Sequence, residues 1–99
     1  MDPIDLLRTC TGFEWDDGNR DKNWHRHRVS QGKAEQVFFH EPLVARDAAH
    51  SEDEPRYHAL GTTAAGRMLV VVFTVRRRLI RVISARDMSD WERRVYRST

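Results

Sequence analysis

Paired cysteines, long apolar runs and lysine in the second half are all missing from this 99-residue chain. Each absence closes a class of function. With Cys10 alone, no internal disulfide and no cysteine-built zinc site can form, and a reducing cytoplasm fits. The longest apolar run, "MLVVVF", is far too short to span a bilayer, and the acidic start "MDPIDLLRT" has no apolar core of a secretory signal. The expectation is a cytoplasmic protein with no membrane contact. There is no glycine-rich phosphate loop, no G-x-S-x-G elbow and no H-E-x-x-H pair. Five histidines are present, but His25 and His27 would stand about 200° apart on a helix and cannot share one ion. No metal and no cofactor are expected.

What is present is ordinary in amount and uneven in placement. Charged residues make up 32% and hydrophobic ones 39%, enough for one domain over residues 1–99 with a modest core. Residues 1–55 hold 7 Lys/Arg against 12 Asp/Glu, whereas residues 56–99 hold 10 Arg against 3 acids. Arginine grips phosphate oxygens two at a time and stays charged when half buried. The bias fits a polyanion, an acidic protein partner, or a codon usage that favours arginine.

Along the chain, residues 1–11 read as a flexible lead-in and "GFEWD" as a short strand with Phe13 and Trp15 on one face. Asp16 or Asp17 can cap a helix reaching about Arg26. That helix is polar apart from Trp24, with Asn19, Asn23 and His27 in one stripe and Lys22 and Arg26 beside it. Ser30 caps a second helix, "SQGKAEQVFF", with Ala34, Val37 and Phe38 as its apolar stripe. No periodicity survives from His40 to Pro55, which reads as a loop. Three strands follow, "RYHALGTT", "RMLVVVFTVR" and "LIRVISAR", with a turn among Arg76, Arg77 and Arg78. A last helix, "DMSDWERRVYRS", is capped by Asp87 or Ser89. The order β-α-α-β-β-β-α predicts an α+β fold, an antiparallel meander with helices packed on it.

The strand "LIRVISAR" poses a question. Strict alternation puts Leu79, Arg81, Ile83 and Ala85 on one face and Ile80, Val82, Ser84 and Arg86 on the other. Both faces are largely apolar, and each carries an arginine that needs an anion. Arg81 could pair with Glu35 or Glu14; His27 could simply sit at a helix C-terminus, where the dipole favours it. Together with Lys22, Asn23, Arg56 and Arg76, however, these residues could converge on one concave surface. Metal-free RNA cleavage needs such a surface: a base for the 2′-hydroxyl, an acid for the leaving oxygen, and cations for the charge on phosphorus.

"FEWDDGNRDKNWHRHRVS", "VFF", "HSEDEPRYHALG", "LVVVFTVR" and "IRVISARDMSDWERRVY" resemble, block by block from Gly12 to Tyr96, the BrnT family of toxins. The elements KNxxxH, HSxxExR, LG and RxISAR carry the likeness. Two positions depart from the family pattern: Arg28 stands where a glycine commonly follows the helix histidine, and Trp15-Asp16-Asp17-Gly18 leads into Asn19 where a lysine is common. The resemblance implies a RelE-like ribonuclease fold and a toxin of a type II toxin–antitoxin system that arrests growth by cutting RNA. It implies a BrnA-like antitoxin, through whose DNA-binding domain the complex would reach operator DNA. It leaves open which side chains do the chemistry. We expect His27, Lys22, Arg56 and Arg81 to be catalytic, and Arg76, Arg86 and Asn23 to bind RNA. The alternatives are a catalytically inert, partner-binding half of an autoregulatory complex and, more weakly, a plain nucleic-acid-binding module.

Overall fold

The computed structural model describes residues 1–50 and 54–99, with the backbone alone at 18–20 and 50. The Asn19 side chain of the expected stripe, and residues 51–53 of the expected loop, therefore lie outside the described residues. The elements run α1 (Pro3–Arg8), β1 (Gly12–Glu14), α2 (Asp17–His27), α3 (Gln31–Val37), β2 (Leu43–Asp47), a 3-10 turn (Ala48–His50), β3 (Arg56–Thr62), β4 (Met68–Arg76), β5 (Leu79–Asp87) and α4 (Asp90–Arg97).

The fold is α+β, and its sheet has five strands in the order β1-β5-β4-β3-β2. Three differences from the sequence reading stand out. The sheet is mixed, because β1 pairs parallel with β5 while the other three pairings are antiparallel. The expected loop contains the edge strand β2, paired with β3 from Leu43–Leu60 to Asp47–Arg56. Residues 3–8 form a helix, with Asp2 accepting from the Ile4 N–H at 2.9 Å and Pro3 in the first turn, as helix starts favour. Leu7 and Cys10 pack against the core.

The inner face of the sheet carries that core. Val29, Ala34 and Val37 from the α2–α3 region meet Ala59, Leu69, Val71, Phe73, Ile80, Val82 and Ala85. Phe38 stands edge-on to Phe73 at 5.0 Å and to Phe13 at 5.5 Å. α3 comes so close to β3 that a Cβ on Gly61 would meet Val37 Cγ1 at 2.9 Å, which explains the glycine after Leu60.

One irregularity decides where the arginines go. Val72 lies opposite Ser84 and Phe73 opposite Val82, so Ile83 is an extra residue in β5. Such a bulge reverses the alternation beyond it. Ile80, Val82 and Ala85 therefore all face the core, and Arg81 and Arg86 both fall on the outer face. The expectation of one arginine per face is corrected: a period of two cannot register an inserted residue.

Candidate functional site

The outer face can be laid out from the strand registers. Asp47 lies opposite Arg56, and Thr74 opposite Arg81; since Tyr57 pairs with Phe73, Arg56 lies opposite Thr74. One row thus reads Asp47, Arg56, Thr74, Arg81 across β2, β3, β4 and β5. The next row, toward α4, reads Ala45, His58, Val72, Ser84, and the one after it ends in Val70 and Arg86. At roughly 4.8 Å per strand, the Arg56 and Arg81 backbones stand about 10 Å apart.

Each arginine of β4 and β5 on this face meets acid from its own chain, with very different geometry. Arg86 forks onto Glu92, Nη1 to Oε1 at 2.7 Å and Nη2 to Oε2 at 2.9 Å. That pair brings α4 onto the outer face. Glu92 also completes the α4 capping box, accepting from the Ser89 N–H at 2.7 Å while Ser89 Oγ accepts from the Glu92 N–H. Arg86 above all, with help from Ser89, lowers the Glu92 carboxyl to about 2.

Arg76 donates from Nε and Nη2 to Glu54 at 2.6 and 3.0 Å. That hydrogen bond holds the Glu54 carboxyl below its usual range, with smaller help from the Thr74 hydroxyl and the charge of Arg81. Thr74 itself is buried and donates to the Pro55 carbonyl at 2.9 Å, tying down the approach to Arg56. Arg81 is the loosest, reaching Asp16 at 3.4 Å and Glu14 at 3.8 Å, beyond the range of a good charge-assisted hydrogen bond. The Glu14 pairing foreseen from sequence is thus present but long. Glu35 instead accepts from Trp15 Nε1 at 2.8 Å.

The structure therefore brings Arg56, Arg76 and Arg81 together and, of the α2 residues, sets Asn23 and His27 apart from them. β1 covers β5 only as far as Arg81, and beyond it α2 lies along the strand. Asn23 is buried there, and its Oδ1 accepts the Ala85 N–H at 3.1 Å; its Nδ2 has no hydrogen-bond partner among the described residues. That position satisfies the edge of the sheet rather than facing solvent. Lys22, its neighbour, is exposed.

His27 ends α2 beside Arg67, a residue the sequence reading passed over. Arg67 donates to the carbonyls of Arg28 and His27, both at 2.8 Å, and to Asp87 at 2.8 and 3.0 Å. It thereby satisfies the open carbonyls of α2 and ties them to the end of β5. Six residues separate Asp87 from Arg81, so His27 sits roughly 20 Å along the strand from it. Arg28 closes α2 at φ 54°, a conformation glycine adopts without strain, with its guanidinium 5.4 Å from the Trp24 ring.

A second residue that sequence reasoning missed is His58. Its Nε2 lies 3.0 Å from Asp47 Oδ2. Alternation along β3 already places it on one face with Arg56, but its partner belongs to a strand the sequence reading took for loop. Among the described residues, no three His, Cys, Asp or Glu side chains come close enough to share a metal ion, and no helix is long and apolar enough to cross a membrane.

Residues 15–92 match the family model described as ribonuclease toxin, BrnT, of type II toxin–antitoxin system. No curated protein matches the sequence. Among solved structures, the crystal structure of the Brucella abortus ribonuclease toxin BrnT superposes with a TM-score of 0.64 at 22% identity, over 81% of this chain and 99% of that one. That likeness carries the fold.

Proposed function

Because the chain belongs to the BrnT family of ribonuclease toxins of type II toxin–antitoxin systems, we propose that it cleaves RNA on the outer face of its sheet, without a divalent metal. This cleavage arrests growth until a BrnA-like antitoxin neutralises the protein. Family membership implies the RNA substrate and a protein antitoxin; the site and the metal independence are our reading. The observation that carries it is the row of Arg56, Thr74 and Arg81 with Arg76 alongside, on the face turned away from the main core cluster. Guanidinium groups about 10 Å apart at the backbone can close on one phosphodiester from both sides. Their fixed charge stabilises the extra negative charge of a pentacoordinate phosphorus.

Phosphate must compete with the carboxylates already on this face. That competition is easiest at Arg81, whose acids are distant and about half exposed, since exposed ion pairs contribute little. The antitoxin, in this reading, offers its own carboxylates to the same arginines.

One feature favours the inert, partner-binding alternative: Arg76 already holds Glu54 in a bidentate pair. Expression in a bacterial host separates the two. An active toxin stops growth, leaves cleaved RNA, and is reversed by its antitoxin. Purified protein should also cut RNA undiminished in excess EDTA. Unimpeded growth with soluble, folded protein supports the inert reading, and loss in EDTA restored by magnesium or manganese removes the metal-free mechanism.

A further inference from the structure

Resting on the ribonuclease reading, we propose that His58 is the proton-accepting residue of the reaction and that Asp47 positions it. His58 stands one row from Arg56 and Arg81, two residues beyond Arg56 on the same face of β3. Its Cα is thus about 7 Å from that of Arg56 and roughly 12 Å from that of Arg81. Side chains of that length can reach across such separations to one nucleotide, although Arg81 rests on Glu14 and Asp16 and His58 on Asp47.

The contact with Asp47 fixes the imidazole. Asp47 Oδ2 lies 3.0 Å from Nε2, with the carboxylate side chain 12% exposed and the imidazole 35%. An ionised carboxylate only accepts, so Nε2 carries the hydrogen and donates it. Nδ1 is left with the lone pair, and no hydrogen bond to it occurs among the described residues. A base oriented by a carboxylate, with its second nitrogen available and a third of its surface in solvent, is equipped for proton transfer.

The step balances simply. Nδ1 takes the proton of the 2′-hydroxyl as O2′ forms a bond to phosphorus. The P–O5′ bond breaks, its electron pair goes to O5′, and that oxygen takes a proton from water. The products are a 2′,3′-cyclic phosphate and a 5′-hydroxyl, and the imidazolium returns its proton to solvent. Arg56 and Arg81 hold the phosphoryl oxygens throughout. His27, at the far end of β5, takes no part.

The alternative role for His58 is a lock between β2 and β3, and the experiment is built to tell them apart. Single-turnover cleavage of an oligoribonucleotide would be measured for wild type, His58→Ala, His58→Gln and Asp47→Asn. Affinity would be measured on the same oligonucleotide carrying 2′-O-methyl groups, and thermal unfolding recorded for each variant. Both His58 variants should lose about 10²- to 10⁴-fold in cleavage with affinity within about threefold of wild type. Asp47→Asn should lose at least tenfold. Added imidazole should restore His58→Ala at least tenfold and leave His58→Gln unchanged. Cleavage by either His58 variant within threefold of wild type, a loss that follows affinity or unfolding, or a loss that imidazole leaves untouched would overturn the proposal. A wild-type protein that cuts no RNA removes the ribonuclease reading itself; an active wild type with an active His58→Ala removes only His58.

Discussion

Replacing Glu92 by glutamine isolates the ion pair that fastens α4 to the sheet. Glutamine can still accept from the Ser89 N–H and keep the capping box, so the change removes the charge and one of the two acceptors of the fork. In the folded protein the Glu92 carboxyl sits at about 2 instead of 4.5, chiefly because Arg86 forks onto it. That difference corresponds to about 3 kcal/mol. Arg86 is somewhat more than a third exposed, and solvent screening trims the figure to about 2 kcal/mol. Because the folded value is the lower one, this stability is fully present above about pH 4.5 and is lost as the pH falls toward about 2. Urea unfolding followed by tryptophan fluorescence at pH 7 should therefore show Glu92→Gln about 2 kcal/mol less stable than wild type. That is a large part of a small domain's total and on the order of 10 °C in unfolding temperature. The gap should narrow below pH 4.5 and close near pH 2. A gap under 0.5 kcal/mol at neutral pH, or one that stays constant with pH, would refute the reasoning. The consequence for function is direct: Arg86→Ala strands Glu92, so any lost cleavage in that variant should track lost stability.

Arg81→Ala should leave the unfolding temperature within a few degrees, because its half-exposed acids remain solvated, while cleavage falls about 10²-fold or more. Arg81→Lys keeps the charge but not the fork and should recover only part of the activity; a large thermal loss in Arg81→Ala would instead make it a structural ion pair. His27→Ala should cut RNA within about threefold of wild type, since Arg67 bonds the His27 backbone carbonyl and that group survives the substitution; a hundredfold loss would return the proton-transfer role to α2. Asn23→Ala leaves the Ala85 N–H without its acceptor and should cost about 1–3 kcal/mol in chemical denaturation; a neutral result would mean water replaces the side chain.

How much of this was legible in the sequence varied with the range of the signal. The capped helices were, because Ser30 and Ser89 act within three residues of themselves. The N-terminal helix also announces itself locally, through Asp2 and Pro3, yet six residues with no buried member give no periodicity to reinforce the cap. β2 hides for a different reason. Five residues at a sheet edge with only partial burial do not alternate long enough to be seen, and with β2 went the Asp47 that gives His58 its meaning. The parallel pairing of β1 rests on three residues joined to positions 79–81, and nothing local encodes it. In the sequence Arg67 reads only as the first residue of the strand "RMLVVVFTVR", because its four acceptors lie twenty to forty positions away.

The bulge at Ile83 is the costliest omission, and it also sorts the arginines. Without the extra residue, Arg81 or Arg86 would point into the packed inner face, where an unpaired charge is severely destabilising. With it, both reach the outer face and meet carboxylates of graded quality. Arg86 has a fork at 2.7 and 2.9 Å onto an acid only 13% exposed. Arg76 has one onto a Glu54 whose side chain is 34% exposed. Arg81 has contacts at 3.4 and 3.8 Å to acids about half in water. Taking a guanidinium away from its carboxylate strands that carboxylate, and the cost grows with its burial. Arg86 is therefore committed to the fold, and Arg81 can turn to a phosphodiester at the smallest loss. On the proposed reading, the same side chain, repeated along one sheet, serves structure near α4 and the substrate near β1 according to the depth of the acid it meets.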